Sequence, residues 1–367
     1  MYSPRVVAAN LAKLEEAFRV TLAPHTPDEC AEMEARLRDA VDDDGQPQRA
    51  LTKAEQSFVR DELLLCKADF AYWATRWMKI TSKQGMVQPL FPLLDSQQFV
   101  LDKIAELEEA AYDGARHDGI LVIVLKAARQ VGVSTLFEGI GTHRTTTQDN
   151  QAALIASDTP DNSGYLFGMQ ETIVAGLPWW LRPTITDHVK NTEIAYDGGS
   201  HVWVGSGKSM KGQEGTRGQL GRGRTILFTH LSELSTWENP DQLNASLFPA
   251  IPENPRSFAG LETTAQGRGV WIHKFWKSSR AGRTRFRCIY IPWYVEKTYS
   301  RPAPADWVPA TTTLEHAKRI EATSAHWVGS TYVPTREEVF IAMEIFERWL
   351  MQGVLNQAGA NLPPRNG

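Results

Sequence analysis

Lys126-Ala127-Ala128-Arg129-Gln130-Val131-Gly132-Val133-Ser134-Thr135 combines cations, a glycine and paired hydroxyls in one short loop. The apolar run Gly119 to Leu125 before it predicts a strand buried on both faces, as in a parallel sheet. Leu136 to Ile140 after it continues as an apolar helix. A strand, a tight loop and a helix N-terminus suit an anion, because backbone N–H groups converge there and the helix dipole favours negative charge. Against the phosphate-loop pattern G-x-x-x-x-G-K-[ST], Gly132 and Ser134 fit, whereas Ala127 replaces the first Gly and Val133 the Lys. The missing charge can come from Lys126 or Arg129. An ordinary strand-to-helix turn, with Gly132 for tightness and Ser134 as cap, is the alternative.

A phosphate site that hydrolyses needs an acid to polarise water. The third core strand, Thr225 to Leu231, ends in Ser232-Glu233. In ATPases with an added catalytic Glu, the first polar residue after such a strand helps hold Mg²⁺ and the second acts on the attacking water. Here the first is Ser232, so the metal would rest on Ser134 and Glu233 with phosphates and water. A solvated acid at a strand end is the plain alternative for Glu233. The fourth strand, Ser257 to Thr263, leads into Thr264-Ala265-Gln266-Gly267. Hydroxyls at such a tip can sense a γ-phosphate, although β-branched residues also simply favour strands.

Between these strands, Ser206 to Arg224 is Gly-rich and basic, with Lys208, Lys211, Arg217, Arg222 and Arg224 against the single acid Glu214. Such a loop can meet a DNA backbone without reading bases. It can equally donate an arginine to a neighbouring subunit's nucleotide, or remain a solvated loop. Arg280, Arg283, Arg285 and Arg287 form a second cluster, read as a solvated strand face.

The elements that must position these groups alternate. Strands are expected at Gly119–Leu125, Gln151–Ser157, Thr225–Leu231, Ser257–Thr263 and Phe286–Ile291, with a helix over roughly 160–175. Their alternation with helices implies an α/β fold with a mostly parallel central sheet. Glu193 to Val204, turning at Asp197-Gly198-Gly199-Ser200, predicts a β-hairpin insertion. Helical periodicity in 5–41 and the polar break Asp42 to Pro47 mark a helical N-terminal appendage over 1–50. A further helical pattern runs over 52–80, and another from the Gln97-Gln98 region to about Tyr112. Residues 51–300 form the expected core. Residues 301–367 are expected to be a helical lid or linker, too short for a second catalytic core.

Composition narrows the class. The 367 residues are 42% hydrophobic and 22% charged, those of a soluble globular protein. A formal net charge of −4 gives no global nucleic-acid signature, so DNA contact must be local. Cys30, Cys66 and Cys288 are scattered, which fits a reducing cytoplasm and argues against structural zinc. No run has the length of a membrane span, and no signal-peptide layout opens the chain.

Arg129 to Thr135, then His230 to Trp237, then Glu262 to Gly267 followed by an aromatic helix with Phe275 and Trp276, resemble in order the large terminase subunit of tailed bacteriophages. The resemblance covers about 60–300 and extends weakly to Tyr332–Phe340. It implies a P-loop NTPase with an added catalytic Glu, binding ATP and Mg²⁺ and packaging double-stranded DNA into a procapsid. By that resemblance Arg129 reaches the phosphates, Glu233 activates water, and Thr263 and Thr264 couple hydrolysis to movement. Gln97 or Gln98 reads adenine. Lys126, Ala128, Arg129, Gln130, Val131, Gly132, Val133, Ser134 and Thr135 form the ATP loop. Portal protein, small terminase subunit and a homo-oligomeric ring are the implied partners, in the host cytoplasm and without a membrane. The family's nuclease domain is expected to be absent from this chain. A helicase-like P-loop ATPase and a non-hydrolysing nucleotide- or DNA-binding scaffold are the rival readings.

Overall fold

The computed structural model describes residues 2–42, 46–82, 85–90, 92–114, 118–207, 225–265 and 269–296. The basic loop with Lys208, Lys211, Arg217, Arg222 and Arg224, the end of the Thr263 segment from Gln266, and everything after 296 lie outside the described residues. The described residues up to Ile289 belong to one compact unit.

This unit opens with helices α1 (Pro4–Phe18), α2 (Pro27–Leu37), α3 (Lys53–Ala68) and α4 (Phe70–Arg76). Both α2 and α3 begin with a Thr-x-x-Glu box: Thr26 with Glu29, and Thr52 with Glu55. The single helical pattern expected over 52–80 breaks at Asp69, whose carboxylate accepts from the Ala71 and Tyr72 amides and restarts the chain as α4. Beyond it, β1 (Lys79–Thr81) pairs antiparallel with β2 (Val87–Pro89). The N-terminal segment is fastened onto α5 (Asp95–Tyr112): the Tyr2 and Ser3 amides donate to Glu108 at 2.7 and 2.8 Å.

Next come β3 (Ile120–Lys126), α6 (Val133–Thr147), β4 (Ala152–Ser157), α7 (Pro160–Gly176), β5 (Ile185–Val189), β6 (Glu193–Tyr196) and β7 (His201–Ser206). They are followed by β8 (Phe228–Ser232), α8 (Gln242–Ser246), β9 (Phe258–Thr264), α9 (Trp271–Arg280) and β10 (Arg287–Ile291). The main sheet runs β10-β3-β9-β8-β4-β7-β6-β5. The pairings from β3 through β9, β8 and β4 to β7 are all parallel. The β6–β7 hairpin therefore continues the sheet beyond β4, with β5 as its antiparallel neighbour. It adds strands to the core layer, where the sequence suggests an insertion.

The central strands are buried on both faces, as their unbroken apolar runs require. One face holds Leu121, Ile123, Leu154, Leu231 and Leu261 against Trp237, Leu247, Ile272 and Phe275. On the other, Phe137 of α6 meets Phe258 edge-on at 5.8 Å between centroids, and Phe258 stacks on Phe228. That approach needs Gly260, since a Cβ there would lie 2.7 Å from the Phe137 ring. The helix α6 is buried nearly all round, so it runs through the protein rather than along its surface.

Candidate nucleotide-binding site

Parallel pairing aligns the carboxyl ends of β3, β9, β8 and β4 along one edge of the sheet, where open α/β sheets bind ligands. Lys126 ends β3, Glu262 to Thr264 end β9, and Ser232 ends β8 with Glu233 just beyond. The chain leaves β3 for β4 while β9 and β8 lie between them, so the connection through the Ala127–Gly132 loop and α6 crosses both strands.

The loop is shaped by backbone conformation. Gln130 (φ 58°) and Gly132 (φ 71°) both adopt the left-handed region before α6 begins at Val133. Only glycine fits at 132. Apart from its positive φ, a Cβ there would sit 2.7 Å from Gln97 Nε2 and 3.0 Å from Leu94 Cδ1. The start of α5 braces the loop from outside. Ser96 Oγ donates to the Val131 carbonyl at 2.7 Å, and Gln97 Nε2 donates to the Gly132 carbonyl at 2.9 Å. Gln97 Oε1 also accepts from the Leu94 amide. The buried amide of Gln97 thus holds the loop before α6, whereas the exposed Gln98 donates to Asp102.

The two loop cations are placed differently. Lys126 is buried and points along the strand ends: its Nζ lies 2.7 Å from Glu262 Oε2 and 3.7 Å from Glu233 Oε1. Arg129 lies on the exposed outer part of the loop, as does Gln130. Ala128 is half-buried, and Val131 and Val133 are buried beneath the loop. The half-buried Ser134 and Thr135 stand in the first turn of α6, and Ser134 Oγ donates to Glu262 Oε1.

Glu233 has φ 54° and ψ 40°, a left-handed conformation that is uncommon for a non-glycine residue. The short turn after it, Leu234–Thr236, is pinned from both sides. Thr236 Oγ1 donates to Asp158 beyond β4 at 3.1 Å. The Ser235 amide donates to Thr263 Oγ1 at 3.1 Å, and the two hydroxyls lie 2.7 Å apart. Thr263 therefore links the tip of β9 to the segment carrying Glu233, while Thr264 is the partly exposed last residue of β9.

Sequence reasoning gives Glu262 no role of its own. It is fully buried, and its polar partners among the described residues come from β3, α6 and β8. Besides Lys126 and Ser134, its Oε1 accepts from Ser232 Oγ at 3.0 Å and lies 3.3 Å from His230 Nε2. The other nitrogen of His230 lies 2.5 Å from Glu138 Oε1 of α6. Burial by itself would raise the Glu262 carboxyl, but the Lys126 ammonium and the His230 imidazole outweigh it and hold the group well below the usual carboxylate range. Burial opposes a charge on His230, yet Glu138 and Glu262 overcome it and push the imidazole up to about 9. Burial also opposes the Lys126 charge, which Glu262 and Glu233 more than restore. Removing one member of such a buried pair costs about 3–5 kcal/mol, because the other is left uncompensated. A carboxylate inside an otherwise apolar strand is the available signal, since a buried charge demands partners.

Among the described residues, no group of three or more His, Cys, Asp or Glu gathers to hold a metal ion by itself. The hard oxygens of Ser134 and Glu233 do fit Mg²⁺, which binds few protein groups and takes its other oxygens from phosphates and water. Among the described residues, no helix is long and apolar enough to cross a membrane.

No protein-family profile matches the chain, and no curated protein sequence does. Solved structures resemble it at low identity. The bacteriophage HK97 large terminase aligns over 78% of this chain and 52% of its own, with 14% identity and a TM-score of 0.46. The large terminase of a thermophilic bacteriophage aligns over 65% of this chain and 51% of its own, with 13% identity and a TM-score of 0.39. The ATPase domain of the Thermus phage P74-26 large terminase aligns over 63% of this chain and 90% of its own, with 13% identity and a TM-score of 0.37. The chain thus spans about half the length of the first two of these proteins. These structures are all bacteriophage large terminases, the family that the sequence motifs resemble.

Proposed function

We propose that this chain is an ATP-hydrolysing motor subunit that translocates double-stranded viral DNA into a procapsid. The observation that carries the proposal is the convergence of Lys126, Ser134 and Glu233 about Glu262, beside a tight loop at the carboxyl edge of a parallel sheet. Phosphoryl transfer asks a protein mainly to position groups and stabilise charge. In this site the backbone from Ala128 to Thr135 cradles the phosphates, with Lys126 as the inner cation and Arg129 on the outer side. Glu233 orients and polarises the attacking water. Ser134 and Glu233 are the groups that would face Mg²⁺, which supplies neutralisation of charge on the β- and γ-phosphates. Gln97 fastens the loop from the side of the nucleotide, and with Gln98 belongs to the segment assigned to the base. Thr263 and Thr264 carry the state of the site to the Glu233 turn.

Lys208, Lys211, Arg217, Arg222 and Arg224 are assigned to DNA phosphates or to a neighbouring subunit's nucleotide. A homo-oligomeric ring working with a portal protein and a small terminase subunit in the host cytoplasm completes the proposal. A triplex-displacement assay on unforked duplex DNA tests translocation. ATP-dependent displacement without unwinding of a forked duplex is the expected result. Unwinding of forks would favour a helicase-like ATPase, and nucleotide binding without turnover would favour a scaffold.

A further inference from the structure

The strand end that would place an acid beside the metal carries Ser232, and the neighbouring strand carries a buried carboxylate at the same level. In phosphate-loop NTPases the loop's Ser or Thr and an acid at the end of a nearby strand share the Mg²⁺. Ser232 and Glu262 are register partners in the parallel β8–β9 pair. Glu262 Oε1 accepts from Ser134 Oγ, the loop hydroxyl, and from Ser232 Oγ at 3.0 Å. We propose that Glu262 is the metal-side carboxylate of this site, moved one strand across from the usual position. The proposal rests on the ATPase function proposed above.

Three features support the assignment. The carboxylate is anchored from behind, with His230 at 3.3 Å and Glu138 holding the far nitrogen of His230 at 2.5 Å, an arrangement that orients a ligand oxygen. It stands at the level of Ser232 in the β8–β9 register and touches the loop hydroxyl of Ser134 directly. Its other oxygen, Oε2, is 2.7 Å from the Lys126 ammonium, a cation already seated on the carboxylate. Bound phosphates would give Lys126 new partners at the loop, releasing Glu262 toward a metal that Ser134 would also face. Glu233, partly exposed and only 3.7 Å from the same ammonium, then remains free for the attacking water. Glu262 on β9 then takes the metal duty that the proposed function gives to Glu233, beside Ser134, and Glu233 at the end of β8 keeps the attacking water.

The test measures binding of a fluorescent ATP analogue to the full chain in Mg²⁺ and in EDTA. The wild type should bind more tightly in Mg²⁺, and Glu262→Gln should lose about 10–100-fold of that enhancement, the range for disturbing groups around a metal. Adding Ser232→Asp to Glu262→Gln should recover much of it, by returning a carboxylate to β8. An undiminished enhancement in Glu262→Gln overturns the proposal. A second measurement uses the unaltered protein: with Fe²⁺ and peroxide replacing Mg²⁺ beside the analogue, the backbone should be cut next to Glu262 as well as Ser134. Cuts confined to the loop and β8 overturn the proposal even if the Gln variant fails to fold. If the wild type binds no nucleotide in either buffer, the ATPase function itself fails.

Discussion

Lys126, the last residue of β3, and Glu262 of β9 form a buried ion pair at 2.7 Å across 136 residues of sequence. The pair lies directly beneath the loop expected to hold phosphates, and Glu233 is the next carboxylate within reach of the same ammonium. A buried cation beside that loop changes how the phosphate charge is assigned. The terminase resemblance ranks Arg129 first, whereas the geometry puts Lys126 inside the site and Arg129 on the exposed loop.

Lys126→Ala should therefore cost more turnover than Arg129→Ala. Loss of one group that stabilises transition-state charge costs about 10²–10³ in rate. Lys126→Arg should keep part of the activity because the charge remains. Steady-state phosphate release, after circular dichroism shows each variant folded, checks the order. The opposite ranking would make Arg129 the phosphate cation.

Glu233→Gln should bind ATP like the wild type and lose turnover by about 10²–10⁴, the usual contribution of a positioned general base. The amide is isosteric and its residue already sits in the pinned left-handed turn, so stability should change little. Nucleotide affinity and single-turnover hydrolysis measured together separate the two effects. Near-normal hydrolysis would remove Glu233 from the chemistry.

Thr263→Val keeps the shape of the β9 tip while removing the hydroxyl that meets Ser235. Loss of such a hydrogen bond should lower stability by about 1 kcal/mol. The larger effect should be on coupling: ATP consumed per DNA length moved should rise, with basal hydrolysis less affected. Unchanged coupling would assign Thr263 to local structure only.

Neutralising Arg222 and Arg224 together should weaken DNA binding similarly on all sequences and flatten its dependence on salt, as loss of phosphate contacts does. Filter binding across a salt series measures both. If DNA binding holds while hydrolysis falls, and subunits inactive at their own nucleotide site restore it on mixing, the loop serves a neighbour's nucleotide instead.

The legible parts of this site are those written in contiguous residues. The apolar run before Lys126, Gly132 with Ser134, and the strand ending at Glu233 all announce themselves locally, because period, glycine and hydroxyl position are local signals. The parallel sheet follows from their alternation with helices. Glu262 stands inside a legible motif, yet the adjacent threonines draw the functional reading away from it. Its partners, Lys126, Ser134, His230 and Ser232, come from three other elements and meet only through strand register. The resemblance gives adenine to Gln97 or Gln98; that the Gln97 amide also holds Leu94 and Gly132 is visible only in the packing of α5 against the loop. The restart of the chain at Asp69 is hidden for a related reason: helical periodicity passes across it, and only the cap shows the break.

ATP hydrolysis by the purified chain, measured as phosphate release with Mg²⁺ and with or without linear double-stranded DNA, tests the central claim most directly. Measurable turnover that rises on adding duplex DNA and disappears in Glu233→Gln is the predicted result. A chain that binds ATP but releases no phosphate under either condition, alone or with a portal ring, would contradict it.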